Sequence, residues 1–149
     1  MRPLYIFDLD GTLALIEHRR HFVSNGNHQW TEFYAACVDD EPNHPVLGTM
    51  VRLLASGCDC IIYSGRSDEV YGQTAAWLRE HLGIDFVPEI QMRPAGDYTP
   101  DDVLKKKWLD TMFPEDRARL VAVFEDRNRM VQMWRDNGVP CFQVAPGDF

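Results

Sequence analysis

Short apolar runs alternate with amphipathic stretches along the whole chain. Leu4-Tyr5-Ile6-Phe7, bounded by a turn at Gly11, predicts a buried strand. Trp30 to Val38 predicts a short helix with Thr31 as its N-cap. Val46 to Ala55 predicts a helix with Val46, Met50, Leu53 and Leu54 on one face, ended by Ser56-Gly57. Asp59 to Tyr63 reads as a second strand. Asp68 to Leu82 carries Val70, Thr74, Trp77, Leu78 and Leu82 at helical spacing, with Gly83 as its stop. Phe86 to Met92 reads as a third strand, placed near a sheet edge by Pro88. Thr99-Pro100-Asp101-Asp102 opens a helix, with Thr99 as cap, proline in the first turn and acids at the positive end of the dipole. Leu120 to Phe124 is a fourth strand. Arg127 to Asn137 is a helix with Met130, Val131 and Trp134 facing inward, stopped by Gly138, and Cys141 to Val144 is the last strand. The alternation predicts an α/β fold: a doubly wound, Rossmann-like sandwich with a mainly parallel five-stranded sheet. Trp77, Trp108, Met130, Met133 and Trp134 are read as core. Trp30, in a polar stretch, is a candidate substrate contact.

Open α/β sheets place their chemistry beyond the carboxyl ends of the strands. Asp8 and Asp10 stand there after the first apolar run. One aspartate can attack an electrophile and the other can manage the proton, with a divalent metal screening both. Gly11 and Thr12 can offer backbone N–H groups to an anion. The run Cys60-Ile61-Ile62-Tyr63 ends in Ser64-Gly65-Arg66, a hydroxyl, a glycine and a forked phosphate donor. The run from Leu120 ends in Glu125-Asp126, which can cap the next helix and bind a metal at once. Of Lys105-Lys106-Lys107, the second and third read as a solvated helix face.

Composition narrows the function. At 149 residues with 45% hydrophobic positions, the chain can bury a real core. A formal charge of −8 argues against a protein that coats duplex nucleic acid, though not against recognition of a strand end. The N-terminus holds no long apolar segment, so neither a signal peptide nor a membrane partner is expected. Cys37, Cys58, Cys60 and Cys141 lack a C-x-x-C pair and read as reduced thiols of a cytoplasmic protein.

Strand-end Asp8-x-Asp10, strand-end Ser64, helix Lys105 and strand-end Glu125-Asp126, in that order, resemble the haloacid dehalogenase superfamily of phosphotransferases. Further stretches resemble the 3′-phosphatase domains of bacteriophage polynucleotide kinase-phosphatases. They are Asp8-Leu9-Asp10-Gly11-Thr12-Leu13-Ala14 followed by Arg19, then Ser64-Gly65-Arg66, then Asp101-Asp102-Val103 before Lys105. The run from Met133-Trp134-Arg135 to Gly147-Asp148-Phe149 completes the match. The resemblance implies that Asp8 is the nucleophile, forming an aspartyl-phosphate, and that Asp10 is the general acid and base. Lys105 would neutralise Asp8 and the phosphoryl oxygens. Mg²⁺ would be held by Asp8 and Asp126 through side chains and by Asp10 through its backbone carbonyl. Ser64, Gly65 and neighbouring amides would hold the phosphoryl group, and Arg19 and Arg66 would contact the substrate phosphate. Two departures stand out. Glu125 replaces a family aspartate, and residues 21–43 are unlike the family.

The chain is expected to be one domain over residues 1–149, with 17–45 as a small insertion or cap-like segment and no large cap domain. An open site suits a 3′-phosphorylated DNA or RNA end. It also suits a small substrate if a second subunit of a homo-oligomer supplies a lid. Three functions are therefore carried forward. The first is Mg²⁺-dependent removal of 3′-phosphates from DNA or RNA ends. The second is hydrolysis of free nucleotides or other small phosphomonoesters. The third is non-catalytic binding of nucleic-acid ends. No kinase segment is recognised, so 5′ phosphorylation is not expected of this chain.

Overall fold

Five parallel strands carry the fold in a computed structural model that describes residues 1–149. In chain order the main-sheet strands are β1 (Leu4–Phe7), β4 (Asp59–Ser67), β5 (Glu89–Arg93), β6 (Leu120–Glu125) and β7 (Cys141–Gln143). Their spatial order is β5-β4-β1-β6-β7, every neighbouring pair parallel. The first strand in sequence thus lies at the centre, where both its faces are covered, which is why it reads as an unbroken apolar run. Phe7 pairs in register with Ile62 on one side and Phe124 on the other. The next residues of all three strands therefore emerge at one end of the sheet.

Helices cover both faces. On one, Val46, Leu47 and Met50 of α2 (His44–Ala55) and Trp77, Leu78 and Leu82 of α3 (Tyr71–Leu82) pack on Phe7, Leu9 and Ile62. On the other, Leu109 of α4 (Asp101–Asp110) and Met130, Val131, Met133 and Trp134 of α6 (Asn128–Asp136) pack on Ile6, Tyr63 and Val123. The rings of Phe7 and Phe124 stack with centroids 4.4 Å apart. All four cysteines are buried and unpaired. No helix is long and apolar enough to cross a membrane.

Differences from the expected elements are local. Helix α1 spans only Trp30–Ala35; Trp30 opens it after Gln29, so Thr31 is not its cap, and Ala36–Asp39 tightens into a 3-10 turn. Thr99 does not cap α4 either. Its N–H and Oγ1 both donate to Oδ1 of Asp97, at 2.9 and 2.6 Å, a nearer acceptor that closes a turn ahead of the helix. Strand β5 begins just past Pro88 and occupies an edge of the sheet. Strand β4 runs on to Ser67, with its pairing to β5 slipping between Ser64 and Ser67. Three short elements were too brief for periodicity to reveal: a 3-10 turn at Glu17–Phe22, helix α5 (Pro114–Arg119), and a ladder of β2 (Ala14–Leu15) with β3 (Glu41–Pro42). That antiparallel ladder closes the neck of the segment between residues 17 and 45 and sets Asp40 beside the end of β1.

Leu78 is fully buried where α3 meets the central strands. Leu78→Ala is expected to cost about 2–5 kcal/mol in urea unfolding. A change well under about 1 kcal/mol would mean that this helix face does not form the core.

Candidate active site

The chain turns sharply after β1. Gly11 donates its N–H to Ala14 O at 2.8 Å, and Thr12 and Leu13 donate theirs to Leu9 O at 3.1 and 2.9 Å. These bonds correct one expectation: the Gly11 and Thr12 amides are consumed by the turn and do not face an anion. Gly11 has φ +83°, and a Cβ there would lie 2.0 Å from Oδ2 of Asp126, so glycine is required for both reasons. Thr12 contributes its hydroxyl instead, donating to Asp8 Oδ2 at 2.9 Å.

Asp8 is gripped from the other side by Lys105 of α4, whose Nζ donates to Asp8 Oδ1 at 2.6 Å and to Glu125 Oε2 at 3.2 Å. Asp8, Glu125 and Asp126 each offer a carboxylate oxygen, all within 4.8 Å of one another, and all three residues are buried. Burial and the neighbouring Asp8 raise the Glu125 carboxyl well above its ordinary value, and the same causes raise Asp126 to about 7. Burial opposes the charge on Lys105, but Asp8 and Glu125 outweigh it and raise its pKa. One ammonium among three carboxylates leaves an excess of negative charge, and Asp126 Oδ1 is buried without a partner. Hard oxygen donors, negative charge and an orphaned oxygen fit a divalent cation such as Mg²⁺. Glu125 thus belongs to the acidic cluster itself.

Asp10 faces a different environment. Its Oδ1 accepts from Arg19 Nη2 and Arg66 Nε, both at 2.8 Å. Behind them Asp40 accepts from Arg19 Nε at 2.7 Å and from Arg66 Nη2 at 2.8 Å. His18 Nε2 lies 2.6 Å from Asp40 Oδ1, and Trp77 donates to the Asp40 carbonyl at 2.9 Å. The side chains of Arg19, Arg66 and Asp40 are fully buried, while that of Asp10 is 22% exposed. Burial would raise the Asp10 carboxyl, but Arg66 and Arg19 outweigh it and hold it below its ordinary value.

The two arginines were expected at the substrate phosphate. In this structure neither lines the cleft, both pair with Asp10 and Asp40, and Arg19 also lies over the Phe33 ring at 4.4 Å. They position Asp10. Ser64 is likewise buried, and its Oγ accepts from the Arg66 N–H at 3.1 Å. Gly65 lines the cleft. The arginines hold only Oδ1 of Asp10, and its Oδ2 carries no hydrogen bond where Asp10 lines the cleft.

Sequence reasoning missed Asp40, hidden in Asp39-Asp40-Glu41, which reads as a solvated turn. It also missed Arg93, which donates to the carbonyls of Gly65, Asp97 and Thr99 at 2.8, 3.1 and 2.6 Å and pairs with Asp101. A Cβ on Gly65 would come within 2.6 Å of Asp101 Oδ1, which explains the glycine after Ser64.

Asp8, Asp10 and Lys105 lie along a cleft of about 450 Å³. Trp30, Tyr34 and Tyr98 form an aromatic wall, and Arg20, Arg127 and Arg129 contribute cationic side chains to the lining.

The family model described as "Polynucleotide kinase PNKP phosphatase domain" matches residues 2–149. A protein of Autographa californica nuclear polyhedrosis virus named "Putative bifunctional polynucleotide kinase/RNA ligase" is 33% identical over 135 residues, covering 89% of this chain and 18% of its own length. The solved structure described as "Structure of the Pnkp1/Rnl/Hen1 RNA repair complex" contains a chain 30% identical, with TM-score 0.79, covering 99% of this chain and 44% of that one. A class C acid phosphatase from Bacillus anthracis, 13% identical with TM-score 0.63 over 99% of this chain and 67% of its own, shares the fold. The chain therefore spans less than half the length of the two nearer relatives described.

Removing Asp40 would leave two buried guanidinium groups sharing the single carboxylate of Asp10. Asp40→Ala is expected to cost about 3–5 kcal/mol in denaturant unfolding, and a near-neutral result would overturn the buried cluster. Asp126 sets a pH dependence. In metal-free protein it holds its proton up to about pH 7, whereas in the unfolded chain it ionises near its ordinary 3.8. The unfolded state then binds fewer protons in that window, so this group's contribution to stability falls as pH rises from about 4 to about 7. Mg²⁺ binds the ionised form, so its stabilising effect should grow across the same window. Thermal melts with and without Mg²⁺ at a series of pH values check this, and a pH-independent Mg²⁺ effect would contradict it.

Proposed function

The chain belongs to the polynucleotide kinase PNKP phosphatase-domain family, with a haloacid-dehalogenase-like fold, and from that premise we propose that it is a Mg²⁺-dependent phosphatase removing 3′-phosphates from DNA or RNA ends. The observation that carries this reading is the division of labour at the end of β1. Asp8 is oriented by Thr12 and Lys105, while Asp10, two residues on, is oriented by two buried arginines.

Asp8 attacks phosphorus with a carboxylate oxygen as the bond to the 3′ oxygen breaks. Asp10 gives that oxygen its proton and later takes one from the water that attacks the aspartyl-phosphate. The second attack breaks the Asp8–phosphorus bond and frees phosphate. Asp10 rests ionised beside its arginines, ready as a base. The arriving phosphate dianion raises its proton affinity and so favours the acid form needed first. Lys105 offsets charge on Asp8 and on the transferring group. Mg²⁺, held by Asp8 and Asp126 with the Asp10 carbonyl and Glu125 closing the cluster, would supply further neutralisation of the phosphoryl oxygens. We read residues 17–45 as a small cap, since Arg20, Trp30 and Tyr34 bring one wall to the cleft.

The relative found in an RNA repair complex favours RNA ends, and other proteins or segments would supply the 5′ chemistry. A second reading, hydrolysis of free nucleotides, is favoured by a cleft of about 450 Å³, which suits a nucleotide-sized ligand. The complete set of Asp8, Asp10, Lys105 and Asp126 speaks against a purely binding module.

The deciding experiment measures phosphate release with Mg²⁺ from matched oligonucleotides carrying a 3′- or a 5′-phosphate, beside the corresponding mononucleotides, for the wild type and Asp8→Asn. The 3′-phosphorylated oligonucleotide should be preferred. Asp8→Asn should lose on the order of 10⁴-fold or more of the turnover while keeping its fold. Preference for mononucleotides would transfer the protein to the second reading. Substantial turnover by Asp8→Asn would sink the covalent route.

A further inference from the structure

The Gly147-Asp148-Phe149 run has no part in the chemistry above, yet it is fastened to the active-site end of the sheet. Asn128 donates its N–H to Gly147 O at 2.6 Å. Gln143 Nε2 donates to the Asp126 carbonyl at 2.9 Å. A Cβ on Gly147 would lie 2.0 Å from the Asp126 carbonyl oxygen and 2.5 Å from Arg127 Cα, so only glycine lets the backbones touch. This fastening delivers the Phe149 ring to the cleft, where it is 47% exposed. The ring does not join the hydrophobic core. It meets two cations instead: Arg20 Cζ lies 4.2 Å and Arg127 Cζ 5.4 Å from its centroid. Arg127 Nε also donates to Phe149 O at 3.2 Å.

An aromatic face attracts guanidinium groups and limits their rotamers, so it can hold both where a free surface arginine would wander. Arg20 comes from the segment between β2 and β3, and Arg127 directly follows Asp126. Phe149 therefore gathers cations from two separate parts of the chain at one place in the cleft. Each cation also has a carboxylate partner, Arg20 with Glu17 at 3.0 Å and Arg127 with Asp101 at 3.1 Å, both made through Nη1, so other guanidinium N–H groups of each arginine are left for a phosphate.

We propose that Arg20 and Arg127, held over the Phe149 ring, clamp the phosphate on the 5′ side of the terminal nucleoside. The clamp rests on the reading of the site as a 3′-phosphatase and adds what makes a polynucleotide a better substrate than a mononucleotide. With the 3′-phosphate at Asp8, the rest of the strand must leave through the open side of the cleft. The first group of fixed charge on that path is the phosphate 5′ of the terminal sugar. Guanidinium groups are suited to its paired oxygens. A nucleoside 3′-monophosphate lacks that group, whereas a nucleoside 3′,5′-bisphosphate carries it without any further nucleotide.

The test compares kcat/KM for a nucleoside 3′,5′-bisphosphate and the matching 3′-monophosphate in the wild type, Arg20→Ala, Phe149→Ala and Phe149→Trp. Arg127 is left intact because it adjoins Asp126. The wild type should favour the bisphosphate by about ten-fold, the size of one charge-assisted contact. Arg20→Ala and Phe149→Ala should each bring the ratio close to one, mainly through KM, and Phe149→Trp should keep it. A wild type without the preference, or alanine variants that retain it, overturns the clamp while leaving the phosphatase reading in place. A second measurement needs no turnover: binding of a 3′-hydroxyl oligonucleotide as a function of salt. Each lost phosphate contact should flatten the log–log slope by about 0.7. A Phe149-dependent slope in a protein that releases no phosphate would sustain the clamp and defeat the phosphatase reading. An unchanged slope in both alanine variants would defeat the clamp.

Discussion

Crowded negative charge at the carboxyl end of β1 is the constraint around which the site is arranged. Asp8, Glu125 and Asp126 reach the same place because β1 and β6 are parallel neighbours in register. Left alone, such a cluster would repel itself or take up protons. Lys105 removes part of the excess from α4, and a divalent cation would account for the remainder. The local backbone conforms to the same demand. Gly11 takes a left-handed conformation with no side chain because the Asp126 carboxylate occupies the space beside it.

Asp8 and Asp10 are two residues apart and chemically similar, yet their surroundings drive them apart. Asp8 shares a pocket with other carboxylates, a lysine and a threonine hydroxyl. Asp10 sees two guanidinium groups and remains ionised at lower pH than an ordinary aspartate. A pair of carboxylates whose environments differ in this way can divide nucleophilic and proton-transfer duties. The division costs two buried arginines, which Asp40 compensates from behind so that no guanidinium charge in the interior stands unpaired.

Much of this was legible in the sequence. The apolar runs placed the main strands, and their alternation with helices placed Asp8, Ser64 and Asp126 at one end of the sheet. The signal was strong because strand ends in a parallel sheet converge whatever the loops do. Partners far apart in sequence were less visible. Arg66 and Asp40 are separated by 26 positions, and no local pattern marks Asp40 as buried. The same blindness applies to Arg66, which beside a glycine at a strand end reads as a phosphate donor when its carboxylate partners are not seen, while Arg19 was expected at the substrate through the family resemblance alone. Gly11 and Thr12 misled for a related reason, because their amides close a tight turn whose geometry depends on Leu9 and Ala14. Glu125 read as a departure from the family pattern, and the fold places its carboxylate in the cluster with Asp8 and Asp126.

Arg19 has a consequence beyond charge balance. It belongs to the segment between residues 17 and 45, while Asp10 belongs to the turn after β1, and its guanidinium ties the carboxylate of one to the other. Moving the segment away from the sheet would withdraw that cation, and the proton affinity of Asp10 would rise as the cleft widened. The opening of the site and the strength of its acid are therefore one mechanical variable. A ligand that alters the segment's position would be felt as a change in protonation before any bond to phosphorus is made.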